Sequence, residues 1–345
     1  MAHHPTAHAF PSALLDMLAG HRVTAVIYVA ASLGIPDELA DGPRTSEHLA
    51  QRVAAHEASV RRLLRALVAL GVCTESKDRR FELTAMGRYL PGSAPQSLKP
   101  FVLFEGQFLR QMWGALIDSI RTGKTAPELA GVSVEKTWTL QGLGTGTPSV
   151  FNEAMVAITR LVAPVVASTY DFSGIRQLID VGGGHGELLA VILNAHPSLR
   201  GAVFDLPLCG DGARRHLAEA GVSARGEFVA GNFFESVPPG ADALILKNVI
   251  HDWDDARSAK ILANCRRALG PTGKLLLVER IMPEVVDESR ADHRAVVLAD
   301  LNMLRGPGGS ERTEREFRDV LTKGGFTLRR IIPAGPLDVI EAACS

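Results

Sequence analysis

Apolar positions along the chain change their period partway, and the change divides it. From Leu14 to about Leu90 they recur three and four residues apart: Leu14, Leu15 and Leu18, then Val23, Val26, Ile27 and Ala30. That spacing predicts helices with one buried face. Gly34-Ile35-Pro36 ends the second helix. A short helix capped by Thr45 or Ser46 comes next. Another, over residues 60–70, carries Leu63, Leu64, Leu67 and Val68 on one side and Arg61, Arg62 and Arg65 on the other. Gly71 closes it, and Phe81-Glu-Leu-Thr84 reads as the wing of a winged-helix unit. Residues 101–170 stay helical, with Phe104, Phe108, Trp113 and Ile117 on one predicted core face. The irregular stretch from Pro127 to Pro148 reads as a lid over a cleft or as a simple connection.

Beyond residue 170 short apolar runs alternate with helical patterns, the signature of an α/β domain with a parallel sheet. The runs are 178–181, 202–204, 227–230, 243–246 and 274–279. Three regions result: a winged-helix dimerisation unit over 1–100, a helical linker and lid over 101–170, and an α/β domain over 171–345. Helices near Leu14–Ala31 and over 101–120 leave apolar faces that a symmetric homodimer would cover.

Composition narrows the function. With 345 residues, 46% of them hydrophobic, the chain can bury a large core. A net charge of −1 supplies no basic field for nucleic acid or an anionic membrane surface. No apolar run approaches the length of a bilayer span, and the start lacks a signal-peptide plan. Cys73, Cys209, Cys265 and Cys344 form no Cys-x-x-Cys pair and read as free thiols of a cytoplasmic protein. His3, His4 and His8 read as a solvated terminus.

The strand Leu178-Ile-Asp-Val181 runs into Gly182, Gly183, Gly184 and Gly186 and then a helical pattern. Such a turn brings the backbone close to a nucleotide-like ligand. Asp205 ends the next run, where a carboxylate accepts ribose hydroxyls, so an adenosine-containing cofactor is expected. A dinucleotide fingerprint would place a third small residue at Glu187. Together with Asp180 just before the loop, that departure suits a ligand with a cationic sulfonium and an amino-acid tail better than a pyrophosphate.

Asn232, Lys247, His251 and Glu279 also fall at or just beyond the carboxyl ends of predicted strands, where open parallel sheets bind ligands. His251, read as a neutral imidazole with an ordinary pKa near 6.5, is the candidate base for a phenolic proton. Glu279 and Glu311 are its candidate orienters. Asp252 is expected to point elsewhere, with Asp252 or Asp254 capping the next helix. The acidic cluster 252–255 has no spaced partner ligands, so no metal is expected.

Four motifs, Leu178–Gly186, Asp205-Leu-Pro207, Leu246-Lys-x-x-x-His-Asp-Trp253 and Gly308-Gly-x-Glu-Arg-Thr313, resemble those of S-adenosylmethionine-dependent small-molecule O-methyltransferases, of the plant caffeate and flavonoid and bacterial antibiotic-pathway types. The resemblance spans nearly the whole chain. It implies a class I methyltransferase (Rossmann-like) sheet whose final antiparallel strand falls at 337–342. It implies S-adenosylmethionine as cofactor and S-adenosylhomocysteine as product, with Asp180, Gly182, Gly184, Asp205, Leu206, Asn232, Phe233 and Lys247 around them. Phe233 would lie against the adenine and Lys247 near its rim. The family usually has Asp at 232, and Asn still offers a carbonyl acceptor. His251 would be the base, buttressed by Glu279 and Glu311.

Phe151, Met155, Trp253, Asn302 and Met303 are candidate walls for a flat aromatic acceptor. Rival readings are a nicotinamide oxidoreductase, a family member drifted to hydroxylation or decarboxylation, and a winged-helix regulator that reads DNA through Arg61 and Arg65.

Overall fold

A computed structural model describes residues 9–133 and 148–345. The predicted lid falls largely on 134–147 and, like His3, His4 and His8, lies outside the described residues there. The chain divides into two compact units, Met1–Gln111 and Met112–Ser345.

In the first unit, helices Gly20–Ser32, Ile35–Leu39, Ser46–Arg52 and Glu57–Ala69 pack with a small antiparallel sheet. Its strands are β1 (Arg44–Thr45), β2 (Cys73–Glu75) and β3 (Arg80–Leu83), in the order β1-β3-β2. Thr45 Oγ1 accepts from the His48 amide and so is the cap. Val60, Leu64 and Leu67 supply the buried stripe of the fourth helix, one turn apart as the sequence pattern requires. Phe81, expected in a wing, lies in β3, which pairs antiparallel with β2 through a turn in which Ser76 Oγ donates to Asp78.

Two expectations need correction. The face through Phe104, Phe108, Trp113 and Ile117 is not one core stripe, for Ile117 is 57% exposed. The stretch is not one unbroken helix: a π-helical turn spans Glu105–Leu109, and the helix stops at Trp113 and restarts at Leu116. Buried Gly106 sits at that turn, where a Cβ would fall 2.2 Å from the Tyr28 ring. The second correction concerns apolar length. Helical stretches Pro11–Ser32 and Val150–Thr169 do reach span length, with mean hydropathies of 1.3 and 1.5. Core helices pass the same test, and Val162, Ala163, Val166 and Ala167 of the second are buried in the core. The first exposes Leu14, Leu15, Met17 and Leu18, while its carboxyl-terminal end packs on the core of the first unit through Ala30.

The second unit is a seven-stranded sheet in the order β6-β5-β4-β7-β8-β10-β9, its strands being β4 (Gln177–Val181), β5 (Arg200–Asp205), β6 (Gly226–Ala230), β7 (Ala243–Lys247), β8 (Lys274–Glu279), β9 (Phe326–Ala334) and β10 (Leu337–Cys344). Neighbours from β6 to β8 are parallel, and β10 runs antiparallel to both β8 and β9. Apolar clusters cover both faces, so the central strands read as continuous Leu, Ile and Val runs. From β4 the chain moves outward to β5 and β6, then returns to the other side of β4 as β7. The strand order therefore reverses beside β4, the position where such sheets open a crevice.

Candidate active site

The loop after β4 places Gly182, Gly184 and Gly186 at positive φ, 73°, 57° and 81°. Close approach also demands glycine there: a Cβ on Gly182 would come within 2.8 Å of Val249, and one on Gly183 within 2.6 Å of Asp180. Helix Glu187–Ala195 starts immediately after. Glu187, the residue that breaks the dinucleotide pattern, is buried and accepts from Arg160 Nε at 3.2 Å and pairs with His216 Nε2 at 2.8 Å.

Asp205, at the end of β5, accepts the Gly184 amide at 2.7 Å and the Leu206 amide at 2.6 Å. Burial pushes its carboxyl up despite those two donors. Each carboxylate oxygen has a second lone pair, so ribose hydroxyls can still donate to it. Asp180 is buried with Oδ2 lacking a hydrogen-bond partner. Desolvation pushes it up to about 7, opposed by Lys247 and reinforced by Asp205. Lys247, at the end of β7, is pushed down to about 8 by burial, though Glu279 and Asp180 pull the other way. On the far side of the loop, the Phe233 ring lies near the space a Gly182 Cβ would fill. Asn232 Oδ1 accepts the Phe234 amide at 2.9 Å and its Nδ2 donates to Glu235.

These features fit S-adenosylmethionine. The cradle is open only because its residues are glycines, and an orphaned buried carboxylate oxygen behind it awaits a donor or a cation.

The second half of the site hangs on the turn after β7. Asn248 adopts a left-handed φ of 52°, which Asn tolerates better than most residues, and turns the chain into the 3₁₀ turn Ile250–Asp252. His251 is buried there. Its Nδ1 lies 3.1 Å from Glu311 Oε1 and 3.6 Å from Glu279 Oε2. The other Glu279 oxygen accepts the amides of Val249 (3.1 Å) and Ile250 (2.9 Å), so this carboxylate holds both the turn and the ring. Glu311 is fixed in turn by its amide, which donates to Asp300 at 2.9 Å.

Asp252 does not point elsewhere: its Oδ1 is 3.5 Å from His251 Nε2. Asp254 is the helix cap, accepting the Arg257 amide. The ordinary pKa assumed for His251 also needs correction. Burial lowers it, but Glu279, Asp252 and Glu311 outweigh burial and hold the imidazole up at about 9. Asp252 itself is pushed up to about 7 by desolvation, and Glu279 is raised for the same reason. One ligand atom from each of His251, Glu279 and Glu311 lies within 4.8 Å of the others, close enough to share a cation.

The candidate acceptor walls are dispersed in environment. Trp253 is core, packed edge-on against Phe234 (4.7 Å) and Phe233 (6.1 Å). Asn302 accepts from Arg305, whose guanidinium stacks over Trp113, and Met303 is buried on the same helix, Ala291–Arg305. Phe151 and Met155 are half-buried on helix Pro148–Thr169. Between them Asn152, which the sequence pattern Phe151-Asn152-x-x-Met155 also offers as a pocket residue, is buried beside Cys209, with Oδ1 3.6 Å from where a Gly184 Cβ would sit. Sequence reasoning passed over Asn248, Gly309 and Arg312, although the last two stand inside the Gly308–Thr313 motif.

This sheet, glycine cradle and acid-rich strand-end cleft define an S-adenosylmethionine-dependent methyltransferase of class I. Residues 15–93 match the O-methyltransferase dimerisation domain and residues 113–327 the O-methyltransferase domain, and the chain belongs to the O-methyltransferase family. It is 39% identical over 337 residues to the phenazine O-methyltransferase of Lysobacter antibioticus, a match covering 96% of this chain and 95% of that protein. It is 36% identical over 335 residues to the mitomycin biosynthesis 6-O-methyltransferase of Streptomyces lavendulae, covering 94% and 92%. The crystal structure of human N-acetylserotonin methyltransferase in complex with S-adenosylmethionine superposes with a TM-score of 0.89 at 27% identity, covering 100% of this chain and 99% of that one. These relatives lend nothing to the oxidoreductase or regulator readings.

Proposed function

We propose that this S-adenosylmethionine-dependent enzyme methylates a phenolic hydroxyl of a planar aromatic secondary metabolite, of the phenazine or polyketide kind, with His251 as general base. The observation that carries the reading is the His251 environment. Nδ1 is held by Glu311 at 3.1 Å with Glu279 behind it, and Nε2, with Asp252 no closer than 3.5 Å, would be the basic nitrogen for the acceptor. Phe151, Met155, Asn302 and Met303 would line the acceptor, with Trp253 supporting Phe233. Asp180, Gly182, Gly184, Asp205, Leu206, Asn232, Phe233 and Lys247 would hold the cofactor.

When bound, S-adenosylmethionine supplies a methyl carbon activated by its sulfonium. The acceptor oxygen would take that carbon from the sulfonium, leaving S-adenosylhomocysteine as the product. His251 Nε2 takes the phenolic proton while Nδ1–H stays on Glu311. A phenol has a pKa of about 10, so the neutral fraction of a histidine at about 9 receives its proton almost without an uphill step, and that fraction grows with pH. A histidine at 6.5 would face about 5 kcal/mol. General-base assistance of this kind contributes roughly 10²–10⁴-fold, and approximation of the reactants supplies more.

The exposed Leu15, Met17 and Leu18 of the dimerisation domain, with Leu14 just before it, favour a homodimer. We further propose a cytoplasmic enzyme that needs no metal and binds neither nucleic acid nor membrane. The closeness of His251, Glu279 and Glu311 favours one competing reading, a divalent cation among them. The test is transfer of labelled methyl from S-adenosylmethionine to a panel of phenols, hydroxyphenazines and polyketide phenols, with and without a chelator. Transfer that resists chelation and is lost in His251→Ala supports the base. Loss on chelation, restored by one added metal, would replace it with the cation reading.

A further inference from the structure

The sequence places Glu311 and Arg312 side by side, and extended backbone sends neighbouring side chains to opposite sides. Residue 312 is indeed bridged in parallel to Ile281, and its carbonyl accepts the Met282 amide at 2.9 Å. Glu311 therefore reaches the His251 ring while Arg312 reaches the backbone that carries it. The Arg312 side chain is 2% exposed. Nη1 donates to the Ile250 carbonyl at 2.9 Å and Nη2 to the Trp253 carbonyl at 2.8 Å, the residues that flank His251 and Asp252. Nε and Nη2 also donate to Asp255 Oδ1 (3.1 and 3.0 Å), and Nη2 approaches Ser258 Oγ at 3.3 Å. The approach is closed by Gly309, where a Cβ would fall 2.0 Å from the His251 carbonyl oxygen.

We infer that Arg312 is a positioning residue for the reaction: its guanidinium fork clamps both ends of the turn that carries His251 and so fixes where the imidazole stands. The inference rests on the reading of His251 as base. Burying a guanidinium is unfavourable unless every N–H is satisfied, and a surface position would stabilise the fold as well. Here the two carbonyls it satisfies sit at either end of the turn carrying the base. A base displaced by about 1 Å can lose on the order of 10²-fold in rate, so a clamp at this point acts on chemistry and not on cofactor affinity. Lysine cannot replace it, because one ammonium on a flexible stem cannot span both carbonyls and Asp255.

The test compares wild type, Arg312→Lys and Asp255→Asn as full-length enzymes. It reads kcat with 1-hydroxyphenazine at saturating cofactor, Kd for S-adenosylhomocysteine, and the His251 pKa from ring NMR in the ligand-free protein. Absence of methyl transfer by wild type to any phenol would fault the functional reading, while the NMR arm tests the clamp without turnover. Arg312→Lys is expected to lower kcat 10- to 100-fold, leave Kd within twofold, and move the His251 pKa as its contact with Glu311 loosens. Asp255→Asn, altered at an exposed partner and so expected to fold, should lower kcat three- to tenfold and shift the same resonance. A folded Arg312→Lys enzyme with wild-type kcat and His251 pKa would overturn the inference. If that variant does not fold, unchanged kcat and pKa in Asp255→Asn would do the same.

Discussion

Replacing Glu311 with glutamine removes one negative charge 3.1 Å from His251 Nδ1 but leaves an amide oxygen that can accept the same N–H. The tautomer is kept and the electrostatics are not. In the native site burial pulls His251 down, and three surrounding carboxylates more than reverse this, to about 9 against an ordinary 6.5. That difference amounts to about 3 kcal/mol in favour of imidazolium. At pH 7 roughly one molecule in a hundred of the ligand-free enzyme then has a neutral His251, and about one in ten at pH 8. The sign is set by that fraction: kcat/KM should climb nearly tenfold per pH unit through neutrality and level off near the histidine's pKa. In Glu311→Gln the midpoint should move toward neutrality by about one pH unit or more, while the plateau falls 10- to 100-fold because the weaker base drives proton transfer less. The assay is initial-rate methyl transfer from pH 6 to 10, using an acceptor phenol that ionises above the range. A wild-type profile flat from pH 6 to 9, or a midpoint unmoved in Glu311→Gln, would refute this account of the base.

Asp180→Asn should stabilise the ligand-free protein while weakening cofactor binding. The folded-state pKa is raised from 3.8 to about 7, so the penalty for ionising the buried acid is absent at low pH and fully present above pH 7. A gain on the order of 2 kcal/mol, a few degrees in Tm, is therefore expected at pH 8 and should vanish toward pH 4; a loss of Tm at pH 8 would contradict it. Gly309→Ala must displace backbone, since its Cβ would meet the His251 carbonyl oxygen at 2.0 Å. It should cost about 1–3 kcal/mol in denaturant melts and most of the activity, and a wild-type melt would sink the close-approach argument. Leu15→Glu, at a 65% exposed apolar position, should give monomers in sedimentation velocity with the α/β unit still folded.

The legible and the hidden parts of the molecule have physical causes. All five parallel strands and the last antiparallel one fall within a few residues of their expected positions; for the central strands this follows because a strand buried on both faces must be a continuous apolar run. Strand β9 escaped notice: its Arg329, Arg330 and Pro333 interrupt that pattern at the edge of the sheet. Periodicity assumes an unbroken helix, so it could not foresee the π-turn at 105–109. The site residues were legible where strand ends converge. Contacts made by backbone carbonyls leave no trace in residue type, and so Arg312 looked like any arginine. The ordinary pKa given to His251 failed because the charges of Glu279, Asp252 and Glu311 act together on one buried ring, and Asp252, adjacent in sequence, was assumed to point away.

The cleft gathers Asp180, Asp205, Asp252, Glu279 and Glu311 against Lys247, His251 and Arg280, a surplus of acid in a largely dry place. Asp180 and Asp252 stand near 7, Lys247 near 8 and His251 near 9, so protons are shared among them at cellular pH. A positive charge entering this group lowers every one of these pKa values, acid and base alike, and so expels protons. S-adenosylmethionine brings that charge on its sulfonium and S-adenosylhomocysteine does not, while the rest of the two molecules is the same. By linkage, the affinity for S-adenosylmethionine relative to S-adenosylhomocysteine should therefore rise between pH 6 and 8, by up to about tenfold per pH unit for each full proton released. Calorimetric titration of both ligands in two buffers of different ionisation enthalpy counts the protons directly. A clear excess for S-adenosylmethionine at pH 7 would mean that the buried acids are set to receive the cationic reactant and to hold its neutral product less tightly. Equal proton release would mean that the sulfonium does not feel them, and that the surplus acid serves the histidine alone.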